Sequence, residues 1–324
     1  MLLPDSLLKA IDKIVEFTDR KRLYEGAEKL SLRYRTPSPH HQVFIQTEEE
    51  CLAYLCMRFP ATFGANYFVF SEMQKRGLEK TISSILDVGS GSGAALWAAS
   101  KIFFNLNTYT LLERDSRLVT IGKELLKEAN FSFDTHWMLG DYTETFKDKT
   151  HDLVVISYSL GEVDPKQWEK VLIQAIKHTH QFLVILEPGT PAGYKKLMRM
   201  REILIQQGLY MVAPCPHNKP CPMVAQDWCH FSQRVPRTSL HRELKHGSLG
   251  FEDEKFSYII MSKQPYYKEG YRIIKTPLRR SGFIELDVCS TSEGLLHKKF
   301  SKKQGDFFNQ VKKLDWGSFY EKDV

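Results

Sequence analysis

Asp87 stands two residues ahead of Gly89, Gly91 and Gly93, three glycines at alternate positions, and closes the apolar run Ile85-Leu86. With Ala94-Ala95-Leu96-Trp97 next, the stretch reads as a strand, a tight turn and the start of a helix. Glycine is needed there because the turn visits backbone conformations closed to other residues and because a ligand must approach the main chain. The helix dipole then faces that ligand. Gly89-x-Gly91-x-x-Ala94 also fits the loosest dinucleotide fingerprint, so the loop alone indicates only a nucleotide-like ligand at the first strand of a doubly wound sheet. Two later acids narrow this. Glu113 ends the run Tyr109-Thr110-Leu111-Leu112, placed for ribose hydroxyls, and Asp141 follows Trp137-Met138-Leu139-Gly140. Each acid alone also suits a helix N-cap. Three in register behind a glycine loop point to a ligand.

A second set of residues carries different chemistry. Cys215, Cys221, Cys229 and Cys289, four of the six cysteines, follow the fifth predicted strand, and three of them share one loop. Thiolates are soft anionic donors suited to iron–sulfur clusters or zinc, and a reducing compartment disfavours disulfides, so the grouping reads as a metal site. Pro216 and Pro222 fix the turns after two of the thiols, and Cys-Pro recurs in cluster ligation. Cys-x5-Cys-x7-Cys is wider than the short knuckle of structural zinc sites and leaves room for a bulky cluster closed by Cys289. His217 and His230 keep zinc open through mixed ligation, and free core cysteines are the structural alternative. Cys51 and Cys56 lie about 140° apart on a helix and read as buried small hydrophobes.

These residues need a frame. Residues 1–80 read as an N-terminal helical region, with Thr47-x-x-Glu50 as a capping box and Pro60 stopping or redirecting a helix. From about 81 to 213, strands at 83–88, 108–113, 135–139, 152–157 and 182–187 alternate with helices near 93–102, 115–129, 165–179 and 191–208. That alternation predicts an α/β doubly wound, mostly parallel sheet with ligands beyond the C-terminal strand ends. Those ends carry Asp87, Glu113, Asp141, Ser157 and Glu187. The sheet domain would comprise 81–213 with 251–262, leaving 214–250 as a Cys-rich insertion and 263–324 as a basic, β-rich extension.

The 324 residues suffice for a large core, and 42% hydrophobic composition is ordinary for a globular chain. No apolar run reaches the length that spans a bilayer. The start, Met1 to Val15, reads as a first folded helix rather than a leader, so a bacterial cytoplasm is expected, although a processed organellar protein would look the same. Net charge is +6, yet residues 263–313 alone carry +7, from twelve Lys or Arg against five acids. Interleaved with Tyr266, Tyr267, Tyr271 and Phe300, these cations fit a phosphate backbone and stacked bases. A solvated basic face is the plainer alternative.

Asp87, Glu113 and Asp141 together resemble the S-adenosylmethionine (SAM) site of class I methyltransferases, where the first region cradles the amino acid end, the second the ribose and the third the adenine. More of the chain resembles one particular group. Asp227-Trp228-Cys229-His230-Phe231-Ser232-Gln233-Arg234-Val235-Pro236-Arg237 and Phe251-Glu252-Asp253-Glu254-Lys255-Phe256-Ser257-Tyr258 are similar to a family of ribosomal small-subunit methyltransferase-like proteins with mitochondrial and bacterial members. So are Leu30-Ser31-Leu32-Arg33-Tyr34-Arg35, Arg58-Phe59-Pro60-Ala61-Thr62, Ser159-Leu160-Gly161-Glu162, Leu186-Glu187-Pro188-Gly189-Thr190, Arg272-Ile273-Ile274-Lys275-Thr276-Pro277, Asp287-Val288-Cys289 and Trp316-Gly317.

The resemblance implies a class I SAM-methyltransferase (Rossmann-like) fold, with SAM held by Asp87, Gly89, Gly91, Gly93, Glu113, Asp141 and Ser157. It implies a [4Fe–4S] cluster on Cys215, Cys221, Cys229 and Cys289, with zinc as the alternative, and association with small-subunit ribosomal RNA through the basic segment. A monomer is expected, in the cytoplasm, or in the mitochondrial matrix for organellar relatives. No catalytic residue follows. Where base N-methyltransferases often carry Asn- or Asp-Pro-Pro-aromatic, this chain reads Ser157-Tyr158-Ser159-Leu160, and a thiol nucleophile at Cys215 would be consumed by the cluster. Glu187 is the one carboxylate to test as a base. Two functions remain open: a methyltransferase acting on small-subunit rRNA, and an assembly factor that keeps the fold for RNA docking.

Overall fold

The computed structural model describes residues 3–35, 45–144, 149–223 and 227–321. Met1, Leu2, the side chains of Tyr34 and Arg35, and Val224, Ala225 and Gln226 of the cysteine-rich stretch lie outside them. The chain forms two compact units, Met1–His180 with Gln233–Glu254, and Gln181–Ser232 with Lys255–Val324.

The first unit opens with α1 (Asp5–Val15), α2 (Arg20–Arg35), α3 (Glu48–Met57) and α4 (Phe59–Gln74). Leu7, Ala10, Ile11 and Val15 recur at helical spacing and form the buried face of α1. Thr47 Oγ1 accepts the Glu50 N–H at 3.2 Å, as an N-cap should, while the Glu50 carboxylate is held by Arg33 at 2.7 and 2.9 Å. Pro60 does not merely end a helix. It lies in the first turn of α4, where its missing N–H is harmless, so one helix follows another with only Arg58 between. Cys51 and Cys56 are both buried.

The parallel sheet of this unit comprises β1 (Ser84–Val88), β2 (Thr108–Glu113), β3 (Asp134–Leu139) and β4 (His151–Ser157), in the order β3-β2-β1-β4. Its crossovers include α5 (Ala94–Ala99) and α6 (Ser116–Leu126), and α7 (Trp168–His178) follows β4. β1 and β4 are buried almost throughout, as expected of parallel strands covered on both faces, whereas β3 at the edge is mostly half exposed or exposed.

In the second unit, β5 (Thr179–Pro188), α8 (Pro191–Gln206) and β6 (Tyr210–Ala213) come first; β7 (Phe231–Pro236) starts there, its remainder and α9 (Ser239–Leu244) belong to the first unit, and β8 (Phe251–Ser262) returns the chain to the second from Lys255 on. β8 lies between β5 and β6 and runs antiparallel to both. A parallel 3-2-1-4 order and an antiparallel strand between the fifth and sixth are hallmarks of the class I SAM-methyltransferase, Rossmann-like fold.

The C-terminal extension is a second sheet of β9 (Gly270–Ile273), β10 (Leu278–Arg279), β11 (Phe283–Ser290), β12 (Gly294–Ser301) and β13 (Phe319–Glu321), with α10 (Asp306–Val311). Its core comprises Tyr271, Ile273, Ile284, Leu286, Val288, Phe300, Phe308, Val311 and Tyr320. Tyr271 and Phe300 are therefore core residues, and only Tyr266 and Tyr267 of the four interleaved aromatics reach solvent. No helix among the described residues is long and apolar enough to cross a membrane.

Candidate functional site

In the first unit, the ends of β1, β2, β3 and β4 carry Asp87, Glu113, Asp141 and Ser157. Asp87 is 1% exposed; its Oδ2 accepts the Tyr109 hydroxyl at 3.1 Å, and its Oδ1 has no partner. Burial pushes this carboxyl up to about 7, with the nearby Glu113 charge adding to the rise and the Tyr109 hydrogen bond opposing it. Gly89, Gly91 and Gly93 all have positive φ, at 70°, 57° and 91°. A Cβ on Gly89 would also lie 2.5 Å from the Ser159 side chain, so the loop is closed to other residues by both conformation and space. Gly89→Ala is expected to destabilise the protein by about 2 kcal/mol and to weaken ligand binding, read from thermal melting and calorimetry. An unchanged melt would contradict the close packing.

Glu113 fastens the loop to β2. Its Oε2 accepts the Gly91 N–H at 2.8 Å and its Oε1 those of Arg114 and Asp115, both at 2.9 Å. A carboxylate offers about four lone-pair sites, so capacity remains for a ribose hydroxyl. Burial nonetheless raises the Glu113 pKa against those three bonds. Asp141 caps its own turn, accepting the Thr143 N–H at 2.8 Å and hydroxyl at 2.7 Å, which, with Arg114, hold it below the usual carboxylate range despite partial burial. Arg114 reaches both Asp141 and Glu162 at 3.7 Å. Ser157 Oγ accepts from Asn66 Nδ2 at 2.8 Å.

Several neighbours escape a reading of the sequence because nothing local marks them. Tyr109 supports Asp87, and the Tyr142 hydroxyl donates to the Ser159 carbonyl at 2.8 Å. Tyr54, on α3, approaches the position a Gly91 Cβ would take. Tyr158, directly after β4, is a non-glycine residue at φ 60°, its hydroxyl bonded to Glu254 at 3.1 Å while Arg58 holds both oxygens of that carboxylate. The only local signal there is the absence of a proline motif. Among the described residues, the buried hydroxyls of Ser90 and Ser92, like Asp87 Oδ1, have no partner. An anionic acceptor and unspent hydroxyls around a glycine cradle match the polar amino acid end of SAM. Glu187 closes β5 in the second unit, 1% exposed.

In the second unit, all four predicted cysteines line one cavity, of about 460 Å³ with its open mouth included, together with Tyr194 and Arg272. Cys215 and Cys221 come from the loop after β6, Cys229 precedes β7, and Cys289 lies on β11. The loop is fixed by local bonds: Asn218 Oδ1 accepts the Met211 N–H at 2.7 Å, Trp228 Nε1 donates to the Gly189 carbonyl at 2.9 Å, and Ser257 Oγ donates to the Cys229 carbonyl at 2.9 Å. His230 stacks on Trp228 and meets Trp316 edge to face. Tyr194 Oη lies 3.1 Å from Cys221 Sγ, and His217 Nε2 3.7 Å from Cys289 Sγ. Burial and the neighbouring thiols push Cys289 up to about 12 and Cys229 well above its ordinary value. As free thiols they are therefore protonated, and a cationic metal centre would reverse that by binding the thiolates. Among the described residues, no three His, Cys, Asp or Glu side chains converge on a single ion position.

Human ribosome assembly protein METTL17, mitochondrial, is 26% identical to this chain over 87% of the chain and 65% of that protein. Rsm22-cox11 tandem protein 2, mitochondrial, of Schizosaccharomyces pombe is 24% identical over 98% of the chain and 49% of that protein. The chain thus spans about half to two thirds of the length of these relatives. Among solved structures, a SAM-dependent methyltransferase from Aquifex aeolicus is 13% identical, covering 68% of the chain and 100% of its own length at a TM-score of 0.45. The magnesium protoporphyrin IX methyltransferase of Synechocystis, with bound SAH, covers 79% of the chain and 100% of its own length at 10% identity and a TM-score of 0.44. Residues 48–321 match the family described as mitochondrial small ribosomal subunit Rsm22, and the chain belongs to that family.

Proposed function

We propose that this protein binds SAM in its first unit and a [4Fe–4S] cluster in its second, and acts on small-subunit ribosomal RNA during subunit assembly, with methyl transfer as its reaction. The observation that carries the reading is the cradle of three positive-φ glycines facing partnerless buried polar atoms on Asp87, Ser90 and Ser92, in a chain of a small-subunit family. SAM supplies an electrophilic methyl group. The chain's own part is to hold the ligand's ammonium at Asp87 and its ribose at Glu113, and to set the methyl in line with an RNA nucleophile. Cys215, Cys221, Cys229 and Cys289 would hold the cluster: four thiols on one cavity form a soft, all-sulfur donor set. Zinc is the alternative occupant. The cluster reads as structural, bracing the loop that carries Cys215, Cys221 and Cys229 against the strand that carries Cys289.

The test is methyl transfer from labelled SAM to small subunits or their precursors from cells lacking the protein, using anaerobically purified protein and Asp87→Ala as control. Label in RNA that vanishes with the control supports the enzyme. No label despite confirmed SAM binding supports the second reading, an assembly factor using the fold for docking, which the missing Pro-Pro-aromatic motif after Ser157 favours. We place it as a monomer where small subunits are assembled, the bacterial cytoplasm or the matrix for organellar relatives.

For RNA, the available charge is smaller than the sequence count. Arg272 is buried, and Lys268, Lys275, Arg279 and Lys299 are engaged in ion pairs. Lys302, Lys303, Lys312 and Lys313 are exposed. Reversing these four to Glu is expected to weaken RNA binding across sequences alike and to flatten its log–log salt dependence by about 0.7–0.9 for each phosphate no longer neutralised. Unchanged affinity for subunits at moderate salt would remove the basic extension from the interface.

A further inference from the structure

Tyr194 stands in the first turns of α8, and its hydroxyl oxygen lies 3.1 Å from Cys221 Sγ. The backbone beneath it is tightly held. Thr190 Oγ1 accepts the Gly193 N–H at 3.1 Å, the Thr190 carbonyl accepts that of Tyr194 at 2.9 Å, and a Cβ on Gly193 would collide with the Pro188 carbonyl oxygen. About two turns further along the same helix, Arg201 fastens the loop that brings the sulfur. Its Nη2 donates to the carbonyls of His217 at 2.9 Å and Lys219 at 2.8 Å, in the turn between Cys215 and Cys221. Hydroxyl and sulfur are thus brought together by a capped helix and a loop pinned to it. Both residues line the cavity of the four cysteines, in a wall that also holds Leu197, Met198, Phe231 and Ile274. A hydrogen bond in such apolar surroundings is stronger than in water. While Cys221 is a free thiol, the proton between the two atoms can belong to either. A sulfur bound to metal has none left to give, so the hydroxyl is then the donor.

We infer that Tyr194 is a positioning residue of the four-cysteine centre, donating its hydroxyl hydrogen to the Cys221 sulfur and so setting how readily a bound cluster takes up an electron. The inference rests on the cluster reading above and adds to it a partner outside the four sulfurs. Hydrogen bonds to the sulfurs are among the levers by which a protein sets a cluster's potential. One electron passing from an external one-electron reductant to the iron leaves more negative charge on the sulfurs. A donor aimed at one of them therefore stabilises the reduced form more than the oxidised one.

Wild-type, Tyr194→Phe and Tyr194→Leu proteins would be reconstituted anaerobically with iron and sulfide and poised with dithionite and mediators. The reduced fraction would be read by electron paramagnetic resonance per bound iron. At the potential where wild type is half reduced, the ratio of reduced to oxidised cluster should fall about fivefold in Tyr194→Phe. Phenylalanine keeps the ring, so the change reports the hydroxyl; should that variant fail to fold, Tyr194→Leu is read in its place. A variant with the wild-type ratio overturns the inference, as does one that folds yet takes up no iron, because the hydroxyl would then serve assembly instead. If dithionite leaves wild type oxidised, resonance Raman spectroscopy decides: the iron–cysteine stretching bands should shift in D2O more in wild type than in the variant, and equal shifts overturn the inference. Wild type that takes up no iron sinks the cluster reading and this inference with it, an outcome that iron analysis alone tells from the others.

Discussion

Replacing Cys229 with serine is expected to strip most of the iron from the purified protein and to lower its stability by at least about 4 kcal/mol, with a matching fall in soluble yield. Cys229 lines the cavity with the three other thiols and sits between Trp228 and His230, whose rings stack, so it links the cavity to the packing of its loop. Metal binding at a site that does not exist in the unfolded chain is folding free energy. Cys51→Ser is the control. It is a fully buried cysteine on α3, outside the cavity, and should cost stability without changing iron content. A Cys229→Ser protein that lacks iron yet melts where wild type does would show that the centre does not hold the fold.

The second large effect belongs to Asp87. Its carboxyl titrates near 7 when folded, against 3.8 ordinarily, because it is buried. A folded value above the unfolded one means that the favourable contribution is full below about pH 4 and lost as pH rises through 7. At pH 8 the ligand-free protein thus carries an ionised, buried carboxylate, a cost on the order of 4 kcal/mol. Asp87→Asn should therefore raise the melting temperature of the free protein at pH 8 while weakening SAM binding at least about 100-fold. In wild type, SAM should bind more weakly at pH 6 than at pH 8, because the proton must leave Asp87 before the ligand's ammonium can pair with it. Equal affinity at the two pH values, measured calorimetrically, would take Asp87 out of the cradle.

What could be read from the sequence was what is encoded locally. Three glycines at alternate positions announce the positive-φ turn of Gly89, Gly91 and Gly93, and β1, β2, β3 and β4 lie within a residue or so of their apolar runs. Prolines beside Cys215 and Cys221 mark a shaped loop. Direction and distance are not written locally. The apolar run Phe256 to Met261 does not say that β8 runs antiparallel between β5 and β6. Tyr109 reveals nothing of its bond to Asp87 until two parallel strands are paired. Charge was legible in the C-terminal segment, but its use was not: Arg272 looks like any surface cation until its partners, Pro214 and Gly317, are seen beside it.

The discontinuous build of both units also bears on how the protein is made. The first unit is closed by Gln233–Glu254, and the second needs β8 and the residues beyond Lys255. Domains emerging from a ribosome ordinarily fold in turn, N-terminal first. Neither unit here can finish before Glu254 has left the exit tunnel, so nascent chains shorter than this should be cut readily by protease throughout, and protection should arrive late and for much of the chain together.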